Sequence, residues 1–428
     1  PPAPPPSPSI LHISLPEAAP VRLRAFTPEI KALGQGGAAV PQGADAPSLV
    51  GERGAMGAAG AAGGRAGGAA VWLDCDPGHD DALALVLAAR APRGPAPPPA
   101  RGGPADLGPG APARGLLGVS CVAGNQTVDR CVANARAVLH WSGAQDVPVY
   151  AGAARALVRP PRNCPEIHGE TGLDRPGGGA VFPPAPPGSC GGGESGHGVL
   201  KLAECLLREG RLRKAAFGED APGWRPQLVC TGALTNAALA LSLYPELAGL
   251  VDVVLMGGAW TGGNTGPAAE FNIQVDPEAA QIVMQSGARV TMVPLEVTHT
   301  ALATPAVVER IRERVGGDFG AATQELLAFF AQTYRDVFGF DDGPPVHDPC
   351  AVLFALEPYL FDTKHVRVDV EMASELSAGQ TVVDWHGVRG LPANVHVAVK
   401  MDVDAFWSRM IDALAATADC SFPGPVSS

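Results

Sequence analysis

Val71-Trp-Leu-Asp-Cys-Asp-Pro-Gly-His-Asp-Asp-Ala82 is an apolar run that ends in aspartates, breaks at Pro-Gly and gives way to a second apolar run reaching Ala89. This is the pattern of a strand, a turn and a helix. Asp74, Asp76, Asp80 and Asp81 fall within one short stretch. Two carboxylates about 4 Å apart repel by roughly 4 kcal/mol at an effective dielectric near 20. A whole domain keeps only about 5–15 kcal/mol of net stability. The cluster therefore requires a cation, and hard oxygen donors suit Ca²⁺ or Mg²⁺, whereas Zn²⁺ favours Cys and His. An acidic helix start, favoured by the helix dipole, would account for Asp80 and Asp81 but not for Asp74 and Asp76 on the strand.

The strand–helix alternation recurs along the chain. Short Val- and Leu-rich runs predict strands over 70–76, 117–123, 227–231, 251–256 and 290–295, with two more at 365–371 and 395–402. Helical periodicity falls at 80–90, 128–141, 198–208, 234–243, 277–286, 305–315, 321–338 and 405–415. The expected fold class is α/β, with an open, mostly parallel central sheet and helices on both faces. Ligands of such sheets gather at the carboxyl ends of the strands. Four consecutive strands end in polar or glycine-rich residues: Asp74-Cys-Asp-Pro-Gly78, Gly124-Asn-Gln-Thr127, Gly232 and Gly257-Gly258.

The 428 residues, with 31 Lys+Arg against 43 Asp+Glu, carry a net charge of −12 and no basic run, which argues against nucleic acid or an anionic membrane as partner. No apolar stretch is long enough to span a bilayer. Nine cysteines without CxxC pairs, several in apolar strands, fit reduced buried thiols and a cytoplasmic setting. The sequence begins at Pro1 and not at Met, so a targeting signal cannot be read from it. Residues 1–69 are expected as a low-complexity, mostly disordered segment and 70–422 as a single catalytic domain. Disordered Pro/Gly-rich insertions are expected near 91–114, 175–196 and 217–226, and a tail at 423–428.

Three further groups can carry chemistry. Asn264, Glu270 and Asn272 offer a carboxylate and two amides suited to a polyhydroxylated ligand, although an ordinary polar loop reads the same way. Asp276-Pro-Glu278 reads as a helix N-cap. His347-Asp348 at a helix start could set a general acid beside a metal ligand, and His168 lies in the loop Ile167-His-Gly-Glu-Thr-Gly172. Taken alone, each histidine also fits a structural role. There is no GxxxxGK[ST], no GxGxxG after the first strand, no GxSxG and no HExxH. Readings as an ATPase, a dinucleotide oxidoreductase, a serine hydrolase or a zinc protease lose support.

As an ordered set, these residues resemble the inosine-uridine nucleoside hydrolase family. The resemblance starts at Asp74-Cys-Asp-Pro-Gly-His-Asp-Asp-Ala82 and continues through Val122-Ala-Gly-Asn-Gln-Thr127, Ile167-His-Gly-Glu-Thr-Gly-Leu-Asp174 and Thr231-Gly-Ala-Leu-Thr-Asn236. Leu255-Met-Gly-Gly258, Ala269-Glu-Phe-Asn272, Thr298-His-Thr-Ala-Leu-Ala-Thr304 and His347-Asp-Pro-Cys-Ala351 complete it. It implies a nucleoside hydrolase-like domain with a Rossmann-like core, and a calcium-dependent enzyme of nucleoside catabolism and salvage that splits ribonucleosides into ribose and free base. By the same resemblance Ca²⁺ is held by Asp76, Asp81, Asp348 and the Thr231 carbonyl, with Asp76 also the base that activates water. Asp80, Asn125, Asn264, Glu270, Phe271, Asn272 and Asp348 would contact substrate, Met256 would line the pocket, and Asp74 would support the site from behind. His347 is implied as the acid for the leaving base and His168 as a base-side loop residue. Tyr334 and Phe338 fit either stacking on the base or the core, and His79 is assigned no chemistry. A homodimer or homotetramer is implied as well. The competing readings are a calcium-dependent nucleoside- or ribose-binding protein without catalysis, and phosphorolysis, for which no phosphate site is visible.

Overall fold

The computed structural model describes residues 68–91, 94–95, 113–186 and 195–420. The expected N-terminal low-complexity segment up to 67, most of the 91–114 stretch, residues 187–194 and the C-terminal tail lie outside them.

The strands are β1 (Ala70–Cys75), β2 (Gly94–Pro95), β3 (Ala113–Cys121), β4 (Val149–Ala151), β5 (Gln227–Cys230), β6 (Asp252–Met256), β7 (Arg289–Val293), β8 (Phe361–Val370), β9 (Thr381–Asp384) and β10 (Val395–Met401). The order β4-β3-β1-β5-β6-β7-β10 is parallel throughout. β8 joins β10 antiparallel and β9 joins β8 antiparallel, while β2 pairs antiparallel with the first residues of β3. Chain order reverses at β1, which has β3 on one side and β5 on the other. That switch point opens a crevice beyond the carboxyl ends of β3, β1 and β5.

β1 shows why its sequence is apolar throughout. Val71, Leu73 and Cys75 pack on one face, in a core shared with the helices His79–Arg90, Val128–Trp141, Asp348–Leu356 and Val403–Ala418. Trp72 points to the other face, into a core shared with the helices Gly198–Phe217, Thr235–Leu243 and Pro277–Gln285. Such two-sided burial makes the site's platform rigid: truncating Leu73 to Ala would cost about 2–5 kcal/mol.

The expected α/β class and the helices on both faces hold, and the helix Val128–Trp141 has the expected bounds. Two of the Pro- and Gly-rich stretches carry buried aromatic side chains. In 175–196, Val181 and Phe182 are buried, and the Phe182 ring packs near Trp141 and Phe319. In 217–226, Trp224 is buried and its carbonyl accepts the Arg213 Nε hydrogen at 2.6 Å. In each stretch one large aromatic side chain anchors the Pro- and Gly-rich backbone to the core. The expected helix 198–208 likewise runs on to Phe217.

Arg213 does more than hold Trp224. It is fully buried and donates to the carbonyls of Ala113 at 2.9 Å and Gly68 at 2.7 Å, while Glu209 accepts the Ala113 amide at 2.7 Å. These bonds pin the starts of β1 and β3, at the end of the sheet away from Asp76.

Candidate active site

The carboxyl end of β1 is built around four buried acids. Asp74 Oδ1 accepts from Ser120 Oγ at 2.5 Å and from Asn236 Nδ2 at 2.8 Å, and Ser120 Oγ in turn accepts from Trp72 Nε1 at 3.0 Å. Asp76 Oδ2 accepts the Asn125 amide hydrogen at 2.7 Å, while Asp76 Oδ1 is buried with no hydrogen-bond partner. Asp81 accepts from the Gly78 amide at 3.0 Å, Asn125 Nδ2 at 3.1 Å and Thr231 Oγ1 at 2.8 Å. Asp80 Oδ2 accepts from the His347 amide at 3.3 Å, which ties the signature to the start of the helix Asp348–Leu356. Gly232 must lack a side chain, because a Cβ there would lie 2.5 Å from Asp76 Oδ1.

Oxygens of Asp80, Asp81 and Asp348 lie within 4.8 Å of one another. The ligand set implied by the sequence had Asp76 in place of Asp80. In the structure Asp76 is outside this triad and is joined to it through Asn125, which bonds Asp76 by its backbone and Asp81 by its side chain. Among the described residues, none of Asp76, Asp80, Asp81 and Asp348 pairs with a Lys or Arg. Burial raises the Asp74 and Asp80 carboxyls to about 7, with the Asp81 charge adding to Asp80. Burial also pushes Asp76 and Asp348 well above the usual carboxylate range, and the neighbouring carboxylates push them further. All-oxygen donors, mutual repulsion and an orphaned Asp76 oxygen together fit a hard divalent cation.

Behind β5 and β6 lie the polar groups expected to meet a sugar. Asn272 Nδ2 donates to the Thr231 carbonyl at 2.8 Å and the Met256 carbonyl at 3.2 Å, and lies 3.4 Å from Met256 Sδ. Glu270 caps the short helix Phe271–Val275, accepting from the Asn272 and Ile273 amides, and also holds the Gly258 amide at 3.0 Å. Burial raises its carboxyl to about 7. Asn264 Oδ1 accepts the Phe271 amide at 3.0 Å, so the half-buried Asn264 and Phe271 stay close to this group. Asp276 is the N-cap expected of it, accepting from the Ala279 amide at 3.1 Å.

Two histidines flank the acids on a third side. His347 is buried, with Nδ1 2.7 Å from Thr298 Oγ1 and Nε2 2.8 Å from Tyr334 Oη. Burial, and then the neighbouring His299, hold its pKa well below the usual value, so the ring is neutral near pH 7. The Tyr334 hydroxyl is thus engaged with His347, although its ring also packs against Phe330 and Phe338. His168 is buried too, and its Nδ1 stands 3.2 Å from both the amide nitrogen and the Nδ1 of His79. The sequence alone does not single out Thr298, the Tyr334 hydroxyl or His79, although Thr298 opens the Thr298–Thr304 motif and Tyr334 lies on the helix that precedes His347.

Comparisons with known proteins find relatives over most of the chain. Residues 71–408 match the family described as inosine-uridine preferring nucleoside hydrolase. An inosine-uridine preferring nucleoside hydrolase of Leishmania major is 39% identical over 354 residues, covering 81% of this chain and 98% of that protein. A pyrimidine-specific ribonucleoside hydrolase of Shewanella sp. (strain ANA-3) is 40% identical over 345 residues, covering 80% and 95%. Among solved structures, a purine-preferring ribonucleoside hydrolase from Gardnerella vaginalis superposes with a TM-score of 0.66 at 27% identity, covering 82% of this chain and 99% of that one.

Proposed function

The chain belongs to the inosine-uridine preferring nucleoside hydrolase family and is a ribonucleoside hydrolase, and from that premise we propose a calcium-assisted cleavage of the N-glycosidic bond with Asp76 as the base. The carboxylates of Asp76, Asp81 and Asp348 and the Thr231 carbonyl would hold the ion. Bound calcium would supply positive charge that lets these acids ionise together and would orient the attacking water. Asp76 takes the water's proton on Oδ1. The observation that carries this reading is that oxygen: it is buried, unpartnered and part of a carboxylate already steered by the Asn125 amide.

The remaining residues bind and stabilise. Asp80, Asn125, Asn264, Glu270 and Asn272 hold the ribose hydroxyls, and Met256, Phe271 and Asp348 line the pocket. As the bond to the base lengthens, positive charge grows on the ribose ring, and the nearby carboxylates favour it. His347, neutral and bonded to Tyr334, passes a proton toward the leaving base, and His168, at the end of the short helix Pro165–His168 and not in a loop as expected, contacts that base. We further propose a cytoplasmic homo-oligomer serving nucleoside catabolism and salvage.

A reducing-sugar assay with inosine, uridine, adenosine, cytidine and xanthosine, with and without EGTA, tests the reading. Ribose release that stops in EGTA and returns with Ca²⁺ is expected. Tight nucleoside binding with no sugar released over hours would favour the binding protein, and phosphate-dependent product would favour phosphorolysis.

A further inference from the structure

His79 sits inside the acidic signature, yet none of the chemistry above uses it. It is fully buried and touches two separate elements, the 165–174 segment and the helix Gly317–Phe338. Its amide hydrogen points at His168 Nδ1 at 3.2 Å, and its own Nε2 lies 2.9 Å from the Asp174 carbonyl. Its ring stacks on Phe329 and Phe330, at centroid separations of 4.9 and 5.4 Å, and Phe330 stacks in turn on His168. Phe329 and Phe330 belong to the helix Gly317–Phe338, which also carries Tyr334.

Two proton positions follow from backbone groups that cannot titrate. A backbone N–H only donates, so His168 Nδ1 accepts and carries no proton. A backbone carbonyl only accepts, so His79 Nε2 carries one. His168 in its neutral form therefore keeps its single ring proton on Nε2. The two Nδ1 atoms are 3.2 Å apart, and the amide proton of His79 is directed at that of His168. Gly78 leaves room for this contact, because a Cβ there would come 2.5 Å from His168 Nδ1. The segment holding His168 is fastened at further points: Gln126 Nε2 donates to the Gly169 carbonyl at 2.9 Å, and Asn134 Nδ2 bridges the carbonyls of Thr171 and Pro77 at 2.9 and 3.0 Å.

We propose that His79 is a positioning residue for hydrolysis, holding the 165–174 segment against the signature turn so that His168 presents Nε2–H as a neutral donor to the departing base. The inference rests on the proposed function, which places the base beside His168. A neutral N–H donor suits an acceptor atom on the base, such as a purine ring nitrogen or a pyrimidine carbonyl, whose electron density rises as the bond to C1′ breaks. The contribution then falls on leaving-group departure and hence on kcat.

The test is a double-mutant cycle on the full chain loaded with Ca²⁺, with inosine and with 4-nitrophenyl riboside, whose leaving group departs without such help. His79→Phe keeps the ring stack and loses the Asp174 bond, His79→Gln can restore a donor to the Asp174 carbonyl, and His168→Ala removes the proposed recipient. His79→Phe is expected to lower kcat for inosine at least tenfold with KM within about twofold, and to leave 4-nitrophenyl riboside turnover within about twofold. His79→Gln should recover part of that loss, and in the His168→Ala background His79→Phe should have no further effect. Hydrogen exchange at amides 168–174 should accelerate in His79→Phe. Equal losses on both substrates, or the same loss with and without His168, would overturn the proposal. A wild-type protein that releases no ribose would instead overturn the proposed function.

Discussion

Tyr334 Oη and His347 Nε2 are 2.8 Å apart, and Thr298 Oγ1 closes the other side of the imidazole at 2.7 Å. The ring is one station on a hydrogen-bonded path, with neither nitrogen left to reach a base unaided. Because burial keeps His347 neutral, it can donate from only one nitrogen at a time, and Tyr334 is the group able to extend that donation. Tyr334→Phe is expected to lower kcat for inosine by about 10²-fold, the lower end for a lost general-acid contribution, with KM little changed. A variant at wild-type kcat would remove Tyr334 from the path.

In the proposed reaction Asp76 is the base, and its carboxylate also shares in the repulsion among the buried acids. Asp76→Asn keeps an oxygen for the Asn125 amide while removing a charge from a crowded site. Ribose release should fall by about 10²–10⁴-fold. In EGTA the same variant should melt above the wild type, since one buried carboxylate is gone. Thermal unfolding in EGTA checks the second outcome, and a lower melting temperature would contradict it.

Calcium should stabilise the fold by mass action. At a hundred times its dissociation constant a ligand that binds only the folded state adds about 2.7 kcal/mol. Titration of EGTA-treated protein with CaCl₂, followed by melting temperature, should show a saturable rise. Gly232→Ala should abolish that rise, because its Cβ would press on Asp76 Oδ1, while circular dichroism stays native. A Ca²⁺ response in Gly232→Ala equal to wild type would count against this site.

The pH dependence of the EGTA-treated protein has a defined sign. Burial raises the Asp74 carboxyl from 3.8 and that of Glu270 from 4.5, each to about 7. Between about pH 4 and 7 the folded state thus holds protons that the unfolded chain has released. Stability must fall as pH rises through that window. EGTA-treated protein is expected to melt higher at pH 5 than at pH 8, and the gap between calcium-loaded and EGTA-treated protein should widen at pH 8. The opposite order in EGTA would contradict the assignment.

Much of the architecture was legible because the strands are buried on two faces. Runs such as Ala70–Cys75 and Asp252–Met256 announce themselves by continuous apolar composition. β4 and β9, with three and four residues, are too short to show a period. Trp224 and Phe182 sit in stretches whose Pro and Gly content masked their anchoring role. At the site, the Asp cluster was visible because its members are neighbours in sequence, and their motif partners because the family resemblance supplied them. His79 was not legible: its contacts with His168 and Asp174 bridge 89 and 95 positions, and its ring partners are farther still. Local composition carries no trace of such pairings.

The antiparallel bridge between Gly94–Pro95 and Ala113–Arg114, next to the Ala113 clamp of Arg213 and Glu209, has a practical use. It brings residues 95 and 113 together as cross-strand partners, at the end of the sheet away from Asp76. A reporter protein or surface tether spliced between them would have its two attachment points already closely spaced and far from the crevice. The enzyme thus offers a ready port for immobilisation, at which nucleoside turnover should survive whatever cargo is attached.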